Sequence, residues 1–212
     1  VVSGREDGLP QNLLTRFLSA YGNASLFRLP DGMEVSRRAL ELMAGGPLAG
    51  GDGRLAYDLE NSGCVLNFGV DLLQGWGTPA HTLRIFGQWR DSSRERKTSV
   101  IHFGPRLSVT AARADEWVPM KAGTWAAAAL GIAFVLISED LYNRDFVDSA
   151  TFGFNDWTDA SGRKHLGFST MVREDYRLSQ VAEITGSPSE TLVRVAREFA
   201  ATPGALAMGP NQ

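Results

Sequence analysis

The chain has 212 residues, of which 43% are hydrophobic, and its mean hydropathy is −0.13. A chain of this length and composition can bury one core or two small ones, which excludes wholesale disorder. The 21 lysine and arginine residues are balanced by 24 aspartate and glutamate residues, for a net charge of −3, so no global basic field is available to hold a nucleic acid.

The cysteine content and the hydropathy limit the class of protein further. Cys64 is the single cysteine in the sequence, so the chain forms no internal disulfide and supplies no zinc or iron–sulfur site by itself. The longest apolar stretch, Trp125–Ile137, is shorter than the roughly 20 residues of a membrane span, so it predicts a buried helix and no direct membrane insertion. Because the sequence begins at Val1 and closes on a strand-like run over 205–210, we expect a piece of a larger protein, with any targeting signal outside it.

Short apolar runs alternate with amphipathic stretches along the chain, and this alternation predicts βαβ units with a mainly parallel sheet. The N-terminal part is predicted to hold a strand end at Val1-Val2, helices over 9–21 and 36–43, an irregular passage over 26–31 and a glycine-rich loop over 44–53. The periodicity of the first helix places five apolar residues on one face: Leu13, Leu14, Phe17, Leu18 and Tyr21.

Three compact strands follow, at residues 64–69, 99–103 and 117–119, with a helix from about 81 to 90 between the first two. A long buried helix is predicted over 124–138, where an alanine run allows close packing against the sheet. Residues 176–212 are predicted to form a helix pair and the start of a return strand, with a core stripe of Leu192, Val195, Ala196 and Phe199. The fold class is therefore α/β, as one doubly wound domain or as one such domain with part of a neighbour.

The sequence lacks the common catalytic and metal-binding patterns. His81, His102 and His165 lie far apart, so their spacing favours ordinary surface or core histidines over a metal site. Cys64 lies within an apolar strand, as inert buried thiols do. There is no nucleophile elbow, no Walker-type phosphate loop and no convincing acid–base pair, so we predict no catalytic residue.

The ends of the three predicted strands carry the candidate binding residues. In open α/β sheets, ligands bind beyond the carboxyl ends of the strands, where glycine lets the backbone approach and helix N-termini favour anions. These ends are Gly69-Val70-Asp71, Gly104-Pro105-Arg106 and Lys121-Ala122-Gly123-Thr124. One interpretation is a nucleotide-phosphate site; the other is ordinary turn chemistry, with Thr124 capping the following helix.

Residues 103–119 read Phe-Gly-Pro-Arg-Leu-Ser-Val-Thr-Ala-Ala-Arg-Ala-Asp-Glu-Trp-Val-Pro and resemble the molybdopterin oxidoreductases of the dimethyl sulfoxide reductase type. In that family, a strand ending in Asp-Pro-Arg precedes Thr-Ala, Ala-Asp-x-Trp-Leu-Pro and a Pro-Gly-Thr-Asp turn before a helix. Residues 57–61 and the strand at Cys64 resemble the family's Asp-Leu-Glu-Asn-Ala-Asp segment and Gly-x-Asn loop. The order and spacing agree from about residue 1 to 210.

The resemblance implies a Rossmann-like inner domain, with helices on both faces of its sheet, that helps hold a molybdenum or tungsten bis(guanine dinucleotide) cofactor. It implies a role in anaerobic respiratory electron transfer at the periplasmic face of the membrane. The expected partners are iron–sulfur and quinone-linked subunits, with iron–sulfur clusters outside this chain. It also implies a set of cofactor-binding residues: Gly69, Val70, Asp71, Gly104, Arg106, Lys121, Gly123 and Thr124.

The chain departs from the family pattern at positions that would bind the cofactor. The Asp of the family's Asp-Pro-Arg is Gly104 here, the last residue of its Pro-Gly-Thr-Asp is Trp125, and its Gly-x-Asn loop ends in Asp71. A carboxylate is the natural partner for the donor edge of guanine, whereas an indole accepts no such hydrogen bond. These losses indicate a weakened or lost nucleotide site.

The metal position departs as well. Met33 falls nearest to it, and a thioether is a poor ligand for high-valent molybdenum, so Asp31, Glu34 or Ser36 would have to serve. We therefore expect no metal ligand in this chain and a degenerate family member, kept as a scaffold for assembly and electron transfer. The alternative is an active polysulfide, thiosulfate or tetrathionate type of reductase.

Residues 178–197 also resemble a repressor helix-turn-helix, with a glycine turn and a second helix that starts Ser-x-Glu-Thr. Over residues 176–201 three arginines are balanced by three glutamates: Arg177, Arg194 and Arg197 against Glu183, Glu190 and Glu198. DNA-reading domains carry net positive charge, so two helices packed on a sheet is the favoured interpretation.

Overall fold

The computed structural model describes residues 2–3, 9–22, 25–28, 32–43, 56–93 and 97–209. The chain divides into two compact units, Val1–Ala56 with Pro210–Gln212, and Tyr57–Gly209. The glycine-rich loop predicted over 44–53 lies outside the described residues. No helix in the described ranges is both long and apolar enough to cross a membrane.

Within its described residues, the first unit has two helices and a two-stranded parallel sheet. In chain order it contains β1 (Val2–Ser3), α1 (Leu9–Tyr21), β2 (Phe27–Arg28) and α2 (Gly32–Met43), with β1 paired to β2. The bounds of α1 agree with the prediction, but α2 begins before the predicted Ser36 and the passage predicted as irregular contains β2. A two-residue strand is too short to show alternation, so periodicity missed it.

The predicted apolar face of α1 is buried only in part. Leu18 is 5% exposed, whereas Leu13, Phe17 and Tyr21 are at least 60% exposed. Phe17 and Tyr21 stack on each other, with ring centroids 5.9 Å apart. Periodicity predicts which residues share a helix face, but it does not predict what covers that face.

The second unit carries most of the secondary structure. In chain order its elements are β3 (Cys64–Phe68), α3 (Pro79–Trp89), β4 (Ser99–Gly104), α4 (Val109–Arg113), β5 (Glu116–Pro119), α5 (Trp125–Ser138), α6 (Arg144–Ala150), β6 (Trp157–Thr158), β7 (Lys164–His165), α7 (Phe168–Asp175), α8 (Leu178–Thr185), α9 (Ser189–Ala201) and β8 (Ala205–Met208). Strands β3, β4 and β5 and helices α5, α8 and α9 lie where the sequence predicts them.

A four-stranded parallel sheet organises this unit, with the strand order β5-β4-β3-β8. The chain lays β4 and β5 on one side of β3, crosses through α5 to α9, and returns as β8 on the other side of β3. This reversal beside β3 is the topology of a doubly wound sheet, in which ligands bind at the carboxyl ends of the strands near the reversal. The predicted α/β, mainly parallel fold is confirmed.

Helices cover both faces of the sheet. On one face, Leu66 and Phe103 pack with α5 and α9, and the rings of Phe68 and Phe103 stack with centroids 4.8 Å apart. On the other face, Val65 and Val100 pack with α3. All five residues of β3 are buried, as expected for a central strand of a parallel sheet.

The helix pair at the end of the chain is part of this core. Gly186 ends α8 in the left-handed conformation with φ of 76°, as the sequence predicts. In α9, Leu192, Val195 and Ala196 are buried against the sheet and α5. Arg197 donates to both carboxylate oxygens of Glu139 at 2.8 Å. The structure therefore gives this pair a core-packing role, and its second helix does not present a free basic face.

The elements between α5 and α8, and the short α4, were not predicted. Helix α6 buries none of its residues, so it carries no apolar stripe for the pattern to reveal. Helix α4 has five residues and is capped by Ser108, whose side chain accepts from the amide of Ala111. Both depend on local capping and on tertiary contacts more than on periodicity.

Candidate functional site

The carboxyl ends of β3, β4 and β5 lie at one edge of the parallel sheet. Residues 69–71, 104–106 and 121–125, which follow these ends, are called the rim below. Gly104 is in register with Pro119, and the amide of Met120 donates to the carbonyl of Gly104. The sheet thus brings the three predicted segments to the same edge.

The turn after β3 is closed by a buried side chain that the sequence did not single out. The Nδ2 of Asn67 donates to the carbonyl of Val70 at 2.9 Å, and its Oδ1 accepts from the amide of Val70 at 2.8 Å. Gly69, between them, has φ of 76°, a conformation that favours glycine. A polar residue inside a fully apolar strand was the signal for Asn67, because buried amides need partners.

An ion pair ties the turn after β3 to the turn after β4. The Nη2 of Arg106 lies 2.8 Å from the Oδ2 of Asp71. The Arg106 side chain is 68% exposed and that of Asp71 is 33% exposed. Both were predicted to bind cofactor, and the structure places them in contact with each other.

His102 lies beside this ion pair, in β4, and is 2% exposed. Its Nδ1 has no hydrogen-bond partner among the described residues. A Cβ built on Gly104 would lie 2.7 Å from the Nε2 of His102, so the imidazole fills the space next to that glycine. Burial lowers the pKa of His102, Asp71 raises it and Arg106 lowers it again, so the ring is neutral near pH 7.

Trp125, the first residue of α5, covers Gly69. A Cβ built on Gly69 would lie 2.6 Å from both Cε2 and Nε1 of the indole. The Nε1 is buried and has no hydrogen-bond partner within the described ranges. The ring also packs against the core cluster that contains Phe68 and Phe103.

The third segment of the rim is fastened to α8. Lys121 donates from Nζ to the carbonyl of Glu183 at 2.8 Å, and its amide donates to the carbonyl of Thr185 at 2.8 Å. Thr124 is the N-cap residue of α5, as expected, but its hydroxyl donates to the carbonyl of Lys121 at 2.7 Å and makes no side-chain capping hydrogen bond to the helix. Gly123 has φ of 77° and open space around it.

The Asp and Trp of the motif at residues 114–117 hold β4 in place from its two ends. Asp115 accepts from the amide of Val100 at 2.8 Å and pairs with Arg90, whose Nη2 also donates to the carbonyl of Arg113 at 3.0 Å. The Nε1 of Trp117 donates to the carbonyl of Gly104 at 3.0 Å. These two motif residues therefore act on the backbone of the strand that leads to the rim.

A second polar cluster lies in the β6–β7 hairpin. Asp159 receives hydrogen bonds from Ser161 and Arg163, and its Oδ2 lies 2.9 Å from the Nε2 of His165. The ring of His165 stacks on Trp157 with centroids 4.2 Å apart. The hydrogen bond to His165, helped by those from Ser161 and Arg163, lowers the pKa of Asp159 to about 2. These contacts close the hairpin loop.

No metal centre is assembled in the described part of the chain, where no three residues of the types His, Cys, Asp and Glu come together. Of the residues considered for the metal position, Asp31 and the side chains of Met33 and Glu34 lie outside the described parts. Cys64 is fully buried, and this burial raises the pKa of its thiol to about 11. An inert thiol is the result, as predicted.

The family model of the molybdopterin oxidoreductases matches residues 14–193. The chain is 35% identical over 136 residues to the menaquinone reductase molybdopterin-binding-like subunit of Nitratidesulfovibrio vulgaris, covering 64% of this chain and 19% of that protein. It is 31% identical over 205 residues to the thiosulfate reductase molybdopterin-containing subunit of Salmonella typhimurium, covering 95% of this chain and 23% of that protein. The chain thus spans about a fifth of the length of these relatives.

Among solved structures, the acetylene hydratase of Pelobacter acetylenicus resembles this fold with a TM-score of 0.59. The match has 24% sequence identity and covers 92% of this chain and 24% of the hydratase chain. At this identity, the likeness bears on the fold alone. It agrees with the parallel sheet and the covering helices described above.

Proposed function

This chain belongs to the molybdopterin oxidoreductase family, and we propose that it is a degenerate cofactor domain of that family, which keeps the fold but does not bind molybdenum. In this proposal the domain is part of a subunit of an anaerobic respiratory complex. Its role there is to support assembly with iron–sulfur and quinone-linked subunits and electron transfer between them. We place the complex at the periplasmic face of the membrane.

The observation that carries the proposal is the position of Trp125. Its indole lies directly over Gly69, where a Cβ would come within 2.6 Å of the ring. An indole N–H is a donor only, so it cannot accept the hydrogen bonds that the donor edge of guanine offers. Gly104, where the family has Asp, supplies no carboxylate either, and the imidazole of His102 fills the space beside it. The rim residues therefore do not fit a guanine dinucleotide.

The charges at the rim support the same conclusion. A phosphate at the rim would need Arg106 or Lys121 as its counter-charge. Arg106 is already paired with Asp71, and Lys121 donates to the carbonyl of Glu183 at the end of α8. A dinucleotide phosphate would have to compete with Asp71 for Arg106, and with the carbonyl of Glu183 for Lys121.

The relatives support a place in respiratory electron transfer. One is named as a menaquinone reductase subunit that is molybdopterin-binding-like, and another as a thiosulfate reductase subunit that contains molybdopterin. The first of these names fits a domain that has the fold without the cofactor. Any iron–sulfur cluster would lie outside this chain, because it has one cysteine, Cys64, which is buried.

An active reductase of the polysulfide, thiosulfate or tetrathionate type is the second candidate. The observation in its favour is the breadth of the similarity to the thiosulfate reductase subunit, which covers 95% of this chain. In that case the cofactor would be a molybdenum bis(guanine dinucleotide), and Trp125 would have to move away from Gly69 to admit it.

The two candidates make opposite predictions for the metal content of the full-length subunit. The subunit is purified from its native host, its molybdenum and tungsten are measured by mass spectrometry, and its pterin is measured by fluorescence after oxidation. The Salmonella thiosulfate reductase subunit, prepared in the same way, is the positive control. We expect neither metal nor pterin above background. Stoichiometric molybdenum with pterin would overturn the degenerate assignment and favour the active reductase.

A further inference from the structure

Two of the three rim glycines lie against an aromatic ring of the chain itself, whereas Gly123 has open space around it. Gly69 lies under the indole of Trp125, and Gly104 lies against the imidazole of His102. Along β4, side chains alternate between faces, so His102 shares the face of Val100, whereas Trp125 packs with the cluster on the opposite face. The space at Gly69 and the space at Gly104 are thus filled from opposite faces of the sheet.

Apolar packing, and not a hydrogen bond, holds the indole of Trp125 over Gly69. Its Nε1 is buried without a hydrogen-bond partner among the described residues, so its N–H does not orient the ring. The aromatic surface contacts the cluster of Phe68 and Phe103. A flat ring also fits close to a glycine, which has no Cβ to hold it away.

We infer that Trp125 is the permanent occupant of the space over Gly69 and the residue that excludes a planar ligand from it. Removing the indole would leave a flat cavity over a glycine, matched to an aromatic heterocycle of indole size. This inference rests on the proposed function for its biological meaning, because it names what has replaced the ligand. The test of this inference requires neither molybdenum nor pterin, so the inference and the proposed function can fail separately.

The first test removes the ring and returns it as a free molecule. We expect Trp125→Ala to lower the Tm of the 212-residue chain by roughly 5–10 °C. Free indole at about five times its Kd is expected to restore about 2–4 °C of this loss and to leave the wild-type Tm unchanged. Trp157→Ala is the matched control, since Trp157 is another half-buried tryptophan, in the β6–β7 hairpin. No rescue of Trp125→Ala, or equal rescue of Trp157→Ala, would overturn the inference.

The second test uses two glycines that have the same backbone conformation. Gly69 and Gly186 both have φ of 76°, but a Cβ on Gly186 would meet only Lys121 atoms, at 3.7 Å or beyond. Gly186→Ala therefore measures the strain of the left-handed backbone, whereas Gly69→Ala measures that strain plus the collision with the indole. We expect Gly69→Ala to lower the Tm at least twice as much as Gly186→Ala.

The indole is the cause of the excess only if the excess disappears with it. In the Trp125→Ala background we expect the two alanine variants to lower the Tm by equal amounts. An excess for Gly69→Ala that persisted there would contradict the inference. Should Trp125→Ala fail to fold, the comparison in the wild-type background still decides, because equal Tm losses for the two variants would show that no ring lies on Gly69.

Discussion

The guanidinium of Arg106 lies 2.8 Å from the carboxylate of Asp71, and this contact joins the turns that follow β4 and β3. Because the pair is exposed, we expect Arg106→Ala to lower the free energy of unfolding by about 0–1 kcal/mol, as measured by urea denaturation. Arg84→Ala in α3, which removes the exposed pair between Arg84 and Glu60, is the matched control and is expected to have an effect of similar size. A loss above about 2 kcal/mol for Arg106→Ala alone would mean that the rim depends on this pair far more than an exposed contact allows.

The same variants test whether the rim binds a nucleotide. Under the proposed function, we expect GDP at about 1 mM to leave the Tm of the wild type and of Arg106→Ala unchanged, because a ligand raises the Tm only when it binds the folded form. A GDP-dependent rise in Tm that Arg106→Ala abolishes and Arg84→Ala retains would instead favour the active reductase. A rise that all three proteins share would remove Arg106 from the nucleotide site.

The contact between His102 and Gly104 predicts a steric effect without backbone strain. Gly104 is outside the left-handed region, so the effect of Gly104→Ala comes from the collision with the imidazole at 2.7 Å. We expect this variant to be less stable by about 1–3 kcal/mol in urea denaturation. Gly87→Ala in α3, where nothing lies within 4 Å, should raise stability by about 0.4–1 kcal/mol. Equal and small effects at both positions would show that His102 does not fill the space at Gly104.

Lys121 is expected to stabilise the end of α8 rather than to bind an anion. Lys121→Met keeps the length of the side chain and removes the charge that donates to the carbonyl of Glu183. We expect it to lower the free energy of unfolding by about 0.3–1 kcal/mol, and to speed hydrogen exchange in α8. Lys164→Met, at an exposed position in β7, is the control and should leave exchange in α8 unaltered. Unchanged exchange in Lys121→Met would exclude this stabilising role.

The β6–β7 hairpin is expected to loosen in acid. The pKa of Asp159 is about 2 in the folded chain, against an ordinary value of 3.8. A lowered pKa means that the carboxylate stabilises the fold above the ordinary value, and that this contribution is lost as the pH falls from about 4 towards 2. The amide resonances of Ser161 and Arg163, which donate to Asp159, should therefore titrate near pH 2 in nuclear magnetic resonance spectra.

Asp159→Asn is the matched variant for this titration. Its amide cannot ionise, so the shifts of Ser161 and Arg163 should no longer move between pH 4 and 2. A midpoint near 3.8 in the wild type would contradict the lowered pKa, since it would mean that His165 gives the carboxylate no support.

The sequence predicts the framework of this protein better than its rim. The strands at Cys64 and Ser99 and the stripe of Leu192 and Val195 are predictable because burial on a sheet or helix face leaves a period in the sequence. The placement of the rim segments follows as well, because the carboxyl ends of parallel strands share an edge. The resemblance to the family adds the identity of the domain, which periodicity alone does not supply.

The contacts that decide the chemistry of the rim were beyond the sequence. The sequence shows Trp125 as the loss of a carboxylate, but the contact of Trp125 with Gly69 joins residues from separate elements and leaves no local pattern. His102 is one of three scattered histidines in the sequence, and its place beside Gly104 depends on the direction of a buried ring. A cation after a tight turn is typical of phosphate sites, so the sequence offers Lys121 as one candidate phosphate ligand, but it does not reveal the hydrogen bond from Lys121 to the carbonyl of Glu183.

Asn67 allows the turn after β3 to form without a ligand. Because its amide satisfies both backbone groups of Val70, the turn that a cofactor would contact needs no ligand to complete these hydrogen bonds. Under the proposed function, a domain built in this way would join its complex as soon as it has folded. The cell would not need to synthesise a pterin, or to time its insertion, before such a subunit is assembled.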